Sequence, residues 1–199
     1  MSEKIASERK VIIRKDMPVS ALLPLAPACK CDACSHGCTV GSGFLVDEDI
    51  PKLAQFLHIS EEELKTSRLE EVEKFHTKRF RPRLEKNQYG YGKCTFYDEK
   101  RGCTVHEAKP LHCRIAMGCK EYGEDLDKWF HLNHFVNADD PESIRQFASY
   151  LDAGGKTLPG GELKDIVPDP ERLKRILAYT IMTKGQEETR EEIRKLFTP

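Results

Sequence analysis

The apolar positions in the first half of the chain repeat at helical spacing. Ile50, Leu53, Ala54 and Leu57 form one apolar stripe, and the acidic, proline-containing segment 47–51 precedes it. Acidic residues and proline are typical of a helix's first turn, so this segment predicts a helix. Ser60 followed by Glu63 has the spacing of a capping box. It predicts a second helix that extends to Lys74.

The C-terminal part of the chain is predicted to be mostly helical. Asp140-Pro141 and Asp169-Pro170 each combine a capping residue with a proline suited to the first helical position. Glycines and prolines concentrate between these two start signals and predict a loop. The predicted helices cover 126–136, 140–151, 169–183 and 187–196, with the loop at 154–168.

Other segments predict strands, turns and extended chain. Residues 95–97 and 104–106 are β-prone and flank a turn that contains Gly102, which predicts a β-hairpin holding Cys94 and Cys103 near one end. Residues 80–91 alternate without a helical stripe. The remaining predictions are an edge strand at 10–14, an extended lead-in at 17–28, where three prolines disfavour helix, and a short helical turn at 111–117 that places Cys113 and Cys119.

Together these elements predict an α+β fold: a small, mostly helical domain with a β-hairpin and irregular loops around a cysteine-bound metal centre. We predict a single domain over residues 1–199. Its metal-binding core spans 29–119, and a helical C-terminal extension spans 120–199.

Charge and composition limit the classes of function. Of 199 residues, 39% are hydrophobic and 33% charged, with 32 Lys and Arg against 33 Asp and Glu. That balance offers no electrostatic attraction for nucleic acid or an anionic membrane. No apolar run approaches the roughly 20 residues of a membrane span, and the N-terminal segment lacks the pattern of a secretory signal. The expected compartment is the cytoplasm, where cysteines stay reduced.

Eight cysteines lie in two blocks, the first from Cys29 to Cys38 and the second from Cys94 to Cys119. Reduced, clustered thiols are soft ligands, so these blocks predict metal binding, by an iron–sulfur cluster or by zinc. Disulfides are the alternative, since eight is an even count. Eight cysteines can serve two four-thiolate sites or one site with spares. The three-residue set Cys31-x2-Cys34-x3-Cys38 is expected to form a tight chelate on a short loop. The candidate metal ligands are Cys29, Cys31, Cys34, Cys38, Cys94, Cys103, Cys113 and Cys119.

Three histidines, His36, His106 and His112, lie within the cysteine blocks. Each is a ligand candidate, although a histidine in such a place is more often a surface residue or a support for the ligands. His131 and His134 are three apart on a predicted helix and are expected at the edge of the core rather than on a metal.

The cysteine pattern resembles the YkgJ-like cysteine-cluster family, whose members are described as zinc- or iron-chelating proteins. A similar cysteine block occurs in flagellin lysine methylases. The resemblance covers about Cys31 to Cys119, and its most specific part is the second block. The matching segments are Cys31, Cys34 and Cys38, then Asp49-Ile50, Cys94-Thr95-Phe96, Gly102-Cys103-Thr104-Val105-His106, Lys109-Pro110-Leu111-His112-Cys113-Arg114 and Cys119.

Two departures from the family pattern affect the ligand set. Members often carry adjacent cysteines where this chain has only Cys38, so the resemblance implies that Cys29 supplies the eighth ligand. The usual arginine and tyrosine of the second block are Lys109 and His106 here.

Three functions follow from these residues. The first is an iron–sulfur cluster carrier, electron-transfer protein or metalloenzyme-assembly factor, with a metalloenzyme or redox protein as partner. The second is an interaction module stabilised by structural zinc. The third is an iron-dependent enzyme, for which the sequence identifies no catalytic residue.

Overall fold

The computed structural model describes residues 10–29, 31–86, 91–116 and 121–178. Helices dominate both ends of this part of the chain, and short strands occupy its middle. The helices are α1 (Val19–Leu22), α2 (Asp32–Val40), α3 (Asp49–Leu57), α4 (Glu61–Ser67), α5 (Leu111–Ile115), α6 (Gly123–His134), α7 (Pro141–Asp152), α8 (Leu163–Ile166) and α9 (170–178).

The strands pair in sequence order as three antiparallel hairpins. They are β1 (Leu69–Lys74), β2 (Thr77–Pro82), β3 (Leu84–Lys86), β4 (Gly92–Cys94), β5 (Tyr97–Asp98) and β6 (Gly102–Cys103). The predicted hairpin around Gly102 is present as β5–β6, with Tyr97 opposite Cys103. Gly102 has a φ of 74°, which explains why glycine occupies this turn. The α+β class is therefore confirmed.

The prediction that the second helix reaches Lys74 is wrong. Its start is as predicted, because the Ser60 side chain accepts a hydrogen bond from the Glu63 backbone. However, α4 ends at Ser67, and β1 follows it. Strand β1 pairs with β2, and the pairing sets Glu70 against Arg81 in a 2.7 Å salt bridge. Long-range strand pairing with opposite charges thus overrides the helical preference of this glutamate-rich segment.

Two N-terminal predictions and one loop prediction also need correction. Residues 10–14 form no strand, although Ile13 is buried in the core. The segment 17–28 is not simply extended. Pro18 precedes α1, and a 3-10 turn follows at Leu23–Leu25, because proline fits the start of a helical turn. Helix α8 interrupts the predicted loop at 154–168.

The predicted C-terminal helices agree with the structure where it describes them. Asp140 caps α7 through the Glu142 backbone N–H, with Pro141 at the first helical position. Helix α9 begins at residue 170 as expected. The rest of the predicted helix 169–183, and all of the predicted helix 187–196, lie outside the described residues.

Two apolar clusters form the core of the described residues. One is built mainly from α6 and α7, including Phe130, Phe135 and Ile144. The other is built from α3, α4 and the strands, including Leu53 and Leu64. Helix α2 packs against β4 and β6, so cysteines from the two sequence blocks approach each other. Within the described ranges, no helix has the length and apolar character that crossing a membrane requires.

Candidate metal centre

The first cysteine block is helical, whereas the sequence predicted a short loop. Cys31 is the N-cap of α2, and Cys34 and Cys38 lie within this helix. Residues four apart on a helix share one face about one turn apart. Cys34 and Cys38 therefore follow each other along the side of α2 that faces the second cysteine block.

Three cysteines meet at the start of α2. The Sγ atoms of Cys29, Cys31 and Cys34 all lie within 4.8 Å of one another, and those of Cys31 and Cys34 are 3.7 Å apart. Cys31 is exposed, Cys29 half-buried and Cys34 buried. We call Cys29, Cys31 and Cys34 the outer cysteines. Their spacing is close to that of thiolates sharing one metal ion.

Four other cysteines line a cavity of about 380 Å³. They come from four elements that are far apart in sequence: α2, β4, β6 and α5. Cys94 is buried and the other three are half-buried. We call this set the inner cysteines: Cys38, Cys94, Cys103 and Cys113.

Burial controls the protonation of the inner cysteines. It raises the pKa of the Cys94 thiol to about 12, although a backbone hydrogen bond from Phe96 works in the opposite direction. It likewise raises the pKa of the Cys113 thiol to about 12, against a backbone hydrogen bond from Gly43. Burial, followed by the charge of Cys103, also raises the pKa of Cys38. These three thiols are therefore protonated at neutral pH until a metal displaces their protons.

The loop after α2 places the backbone of Gly43 against Cys113. Ser42 donates a 2.8 Å hydrogen bond to the Pro82 carbonyl, and the Leu45 N–H donates to the Phe80 carbonyl at 2.8 Å. Gly43 between them lies so close that a Cβ atom there would be 2.6 Å from the Cys113 Sγ. Only glycine permits this approach, which also lets the Gly43 N–H reach the sulfur.

Asp49 joins this region to the start of α5. Its buried carboxylate accepts hydrogen bonds from the Val46 N–H at 3.1 Å and from the Leu111 N–H at 3.0 Å. Burial raises the pKa of Asp49, while these two backbone hydrogen bonds oppose that shift. Because Leu111 is the first residue of α5, Asp49 fixes the helix that carries Cys113.

Replacing Asp49 with alanine is expected to lower the free energy of unfolding by about 2–4 kcal/mol, because two backbone N–H groups lose their acceptor. Urea unfolding of the reduced, metal-free protein measures this loss. The matched control is Asp47→Ala, whose side chain is 86% exposed and pairs with Arg79. That change is expected to stay within about 0.5 kcal/mol. Equal losses in the two variants would contradict the anchoring role of Asp49.

His112 connects α5 to α6 and is not placed as a metal ligand. Its Nδ1 accepts a 3.0 Å hydrogen bond from the Phe44 N–H, so its Nε2 carries the proton and donates to the Asp127 carboxylate at 2.8 Å. The rings of Phe44 and Phe130 both stack on the imidazole, with ring centroids 5.4 and 4.2 Å from its own. Burial lowers the pKa of His112, which keeps the ring neutral in this arrangement.

Asp127 holds two histidines together. It accepts from His112, and its second oxygen lies 3.3 Å from His131 Nδ1. Although burial acts to raise the pKa of Asp127, hydrogen bonds from His112 and His131 hold it well below its usual range. The three side chains bring metal-ligating atoms within 4.8 Å of one another. Since both His112 nitrogens already have hydrogen-bond partners, we interpret this set as a structural clamp.

We expect His112→Phe to destabilise the metal-free protein by about 2–4 kcal/mol. Phenylalanine keeps the ring stacking but leaves the partly buried Phe44 N–H without its acceptor and removes one of the donors to Asp127. Thermal and urea unfolding provide the measurement, and His36→Ala, at an exposed position, provides the control. If His112→Phe unfolds like the wild type, the clamp contributes nothing measurable.

The other predicted site residues are distributed as follows. The Nε2 of His106 donates to the Cys29 carbonyl at 3.2 Å, which places this ring beside the outer cysteines. His36 is exposed at the edge of the inner cavity. His134 packs against Trp129 and Phe130, in keeping with a place at the core. Cys119 lies outside the described residues, so its role as a ligand stays a prediction.

Three important residues were not identified as site residues from the sequence. The sequence indicated Asp49 only as part of an acidic helix start and of the family resemblance, and it gave no sign of a role for Gly43. Asp127 gave no signal, because one aspartate in a charged helix looks like any exposed residue. Their roles depend on contacts across 15 to 70 positions of sequence, which no local pattern contains.

A family model matches residues 30–129, half of the chain. Its description is "CxxCxxCC: Putative zinc- or iron-chelating domain". The matched range contains the inner cysteines together with Cys31, Cys34 and Cys119, and it ends within α6. No curated protein and no solved structure matches the chain.

The spacing in the family's name places its four cysteines at 31, 34, 37 and 38 of this chain. Position 37 is glycine here, and a Cβ atom there would have no neighbour within 4 Å. Cys29, which precedes the pattern, lies instead with Cys31 and Cys34. The first block thus departs from the family's spacing at position 37 alone, and cysteines of both blocks line one cavity. The chain belongs to the CxxCxxCC family of zinc- or iron-chelating domains.

Proposed function

We propose that this protein binds an iron–sulfur cluster through the inner cysteines and serves as a cluster carrier, electron-transfer protein or metalloenzyme-assembly factor. The observation that carries the proposal is the convergence of Cys38, Cys94, Cys103 and Cys113 on one cavity of about 380 Å³. Four thiolates are the usual ligand set of a [4Fe–4S] cluster.

The size of the cavity supports a cluster over a single ion at the inner cysteines. A zinc ion bound about 2.3 Å from each of four sulfurs would draw those sulfurs to within about 4 Å of one another and leave little space between them. The inner cavity is also lined by apolar groups, including Phe96 and Val105. Burial and backbone hydrogen bonds to sulfur, as from Gly43 and Phe96, are the features that tune a cluster's reduction potential.

The second candidate function is that of a zinc-stabilised interaction module. It is favoured by the outer cysteines, whose sulfurs lie within 4.8 Å of one another and so are already near the spacing of a single tetrahedral ion. In this case the metal would contribute directly to folding free energy, and chelation would unfold the region around α2.

The deciding measurement is made on full-length protein purified without oxygen. We expect visible absorption that bleaches on reduction, together with iron and acid-labile sulfide in equal amounts. Zinc without sulfide would overturn the cluster proposal and support the interaction module. Protein that binds neither metal under reducing conditions would overturn both.

Metal affinity at the inner cysteines should rise steeply with pH. Cys38, Cys94 and Cys113 have raised pKa values, to about 12 for the latter two, so at pH 7 these three thiols must each release a proton on binding. Three released protons correspond to about a thousandfold gain in affinity per pH unit below their pKa values. Cobalt(II) serves as a single-ion probe of the same thiols. In titrations between pH 6 and 8, the logarithm of its affinity should rise by roughly three per pH unit from the protons of these three thiols. A slope near zero would show that these thiols are already ionised.

A further inference from the structure

One permanent positive charge faces the inner cysteines. Among the described residues that line the inner cavity, Lys109 is the one lysine or arginine, and none is an aspartate or glutamate. Two histidines also line it. His112 is neutral, because its Nδ1 accepts the Phe44 N–H, and His36 is exposed at the edge, where water screens charge. The balance of charge inside this cavity therefore depends on the Lys109 ammonium.

The neighbouring cavity carries charges of both signs. It has a volume of about 310 Å³, and Cys29 and Cys34 line it together with Cys38 and Cys103. Its charged residues are Asp32, Glu99, Lys100, Arg101 and Lys109. Lys109 is the only one of these five that also lines the inner cavity. Lys100 and Lys109 thus provide a matched pair of lysines, one outside the inner cavity and one beside it.

The segment that carries Lys109 connects two of the inner cysteines. It runs from Cys103 on β6 to Cys113 on α5. Val105 within it is only 2% exposed, and Pro110, directly after Lys109, is also buried. Lys109 itself is half-buried. Because buried residues anchor the chain on both sides of Lys109, its backbone is held beside the cavity.

The charge of Lys109 acts on sulfurs from both sequence blocks. Burial raises the pKa of the Cys38 and Cys113 thiols, and the positive charge of Lys109 opposes that rise in both. Cys38 belongs to α2 and Cys113 to α5. The ammonium group therefore favours the thiolate form on two different walls of the cavity.

Metal binding gives the inner site a net negative charge. Four thiolates contribute four negative charges, and either a [4Fe–4S] core of charge 2+ or one divalent ion returns two positive charges. Reduction of the cluster by one electron adds a further negative charge. Burial disfavours such charge unless an opposite charge lies nearby.

We propose that Lys109 is the counter-charge of the inner site and determines how tightly the site holds its metal and how readily a bound cluster accepts an electron. A protonated lysine has no lone pair to offer a metal, so Lys109 acts through the thiolates and is not a ligand. The part concerning the electron rests on the proposed function. The part concerning affinity does not, because a cluster and a single divalent ion leave the same net charge.

Cobalt(II) titration of the full-length, reduced, metal-free protein tests the affinity. The inner equivalent is the one that Cys113→Ser lacks. In Lys109→Gln, its affinity should fall about 10- to 100-fold, the usual cost of losing a group that supports metal ligands. Lys109→Met, which keeps an unbranched apolar chain without the charge, should show the same loss. Circular dichroism verifies that each variant is folded.

Two variants control for shape and for net charge. Lys109→Arg keeps the positive charge and should stay within about threefold of the wild-type affinity. Lys100→Gln makes the same change in net charge at an exposed position outside the inner cavity. It should stay within about twofold of wild type, because solvent screens an exposed charge.

The reduction potential of the cluster-loaded protein is a readout that a merely structural role would not move in a fixed direction. Reduction adds one negative charge to the two already present, so the logarithmic effect should be about half of that on affinity, or roughly 3- to 10-fold against the reduced form. For one electron this is a fall of about 30–60 mV in Lys109→Gln. Lys109→Arg should keep the wild-type potential. Anaerobic redox titration followed by visible absorption measures both.

Three results would overturn the proposal. One is wild-type cobalt affinity in Lys109→Gln and Lys109→Met, and another is an equal loss in Lys100→Gln, which would indicate a general effect of net charge. The third is a loss in Lys109→Arg as large as in Lys109→Gln, which would indicate shape rather than charge. Failure of the proposed function is distinct from these: protein that assembles no cluster has no potential to measure, while its cobalt affinities still test Lys109.

Discussion

Serine in place of Cys113 is expected to abolish metal binding at the inner cysteines while leaving the outer cysteines loaded. For scale, structural zinc binding by four ligands is worth about 10–16 kcal/mol, so one thiolate of four accounts for about 2.5–4 kcal/mol, or roughly 60- to 1,000-fold in affinity. Cys113 lies on α5, which Asp49 and His112 both hold in place. A hydroxyl at this position cannot replace the soft sulfur ligand.

The complementary variant is Cys29→Ser, which should lose the outer equivalent and keep the inner one. Competition titrations with a chromophoric chelator measure both affinities, and circular dichroism verifies that each variant is folded. If either variant loses both metal equivalents, the seven described cysteines form one centre. If Cys113→Ser retains the inner equivalent, the inner ligand set is assigned incorrectly.

Gly43→Ala should weaken metal binding at the inner cysteines nearly as much as Cys113→Ser does, although it removes no ligand. The added Cβ would lie 2.6 Å from the Cys113 Sγ and 3.0 Å from the Cys113 backbone nitrogen. The loop cannot retreat easily, because Ser42 and Leu45 bond to β2 on either side of it. We expect about 1–3 kcal/mol of destabilisation from overpacking and about a 10- to 100-fold loss of inner-site metal affinity from the displaced sulfur.

Gly37→Ala is the matched control for this substitution. Gly37 also lines the inner cavity, but a Cβ atom there would have no neighbour within 4 Å. Since Gly37 lies inside α2, alanine should stabilise the helix by about 0.5–1 kcal/mol. Metal affinity and urea unfolding are measured for both variants. Equal behaviour of the two would mean that the close approach of Gly43 to Cys113 has no role.

The outer and the inner cysteines differ in their location in the fold and in their burial. The outer cysteines lie at the start of α2, with Cys31 exposed and Cys34 buried. The inner cysteines lie on α2, two strands and α5, and burial raises the pKa of the Cys38, Cys94 and Cys113 thiols, so these three are uncharged at neutral pH. These thiols must release their protons when a metal binds.

Local patterns were sufficient to predict several elements. The caps at Ser60 and Asp140 started α4 and α7 where expected, because a side-chain acceptor for the first N–H groups works within one helical turn. Gly102 was similarly diagnostic of the β5–β6 turn. The cysteine spacing was specific enough to indicate the family, because soft ligands in two dense blocks have few other uses in a reduced protein.

Other features depended on partners distant in sequence. Glu70 and Glu73 look helical in isolation, and only pairing with β2 makes their segment a strand. The division of the cysteines was equally hidden. Cys34 and Cys38 are about one helical turn apart, yet Cys34 lies with Cys29 and Cys31, whereas Cys38 lines a cavity with cysteines of β4 and β6, against which α2 packs. Spacing along the chain limits which thiols can meet. The packing of helix against strands decides which of them do, since it sets where each sulfur lies in space.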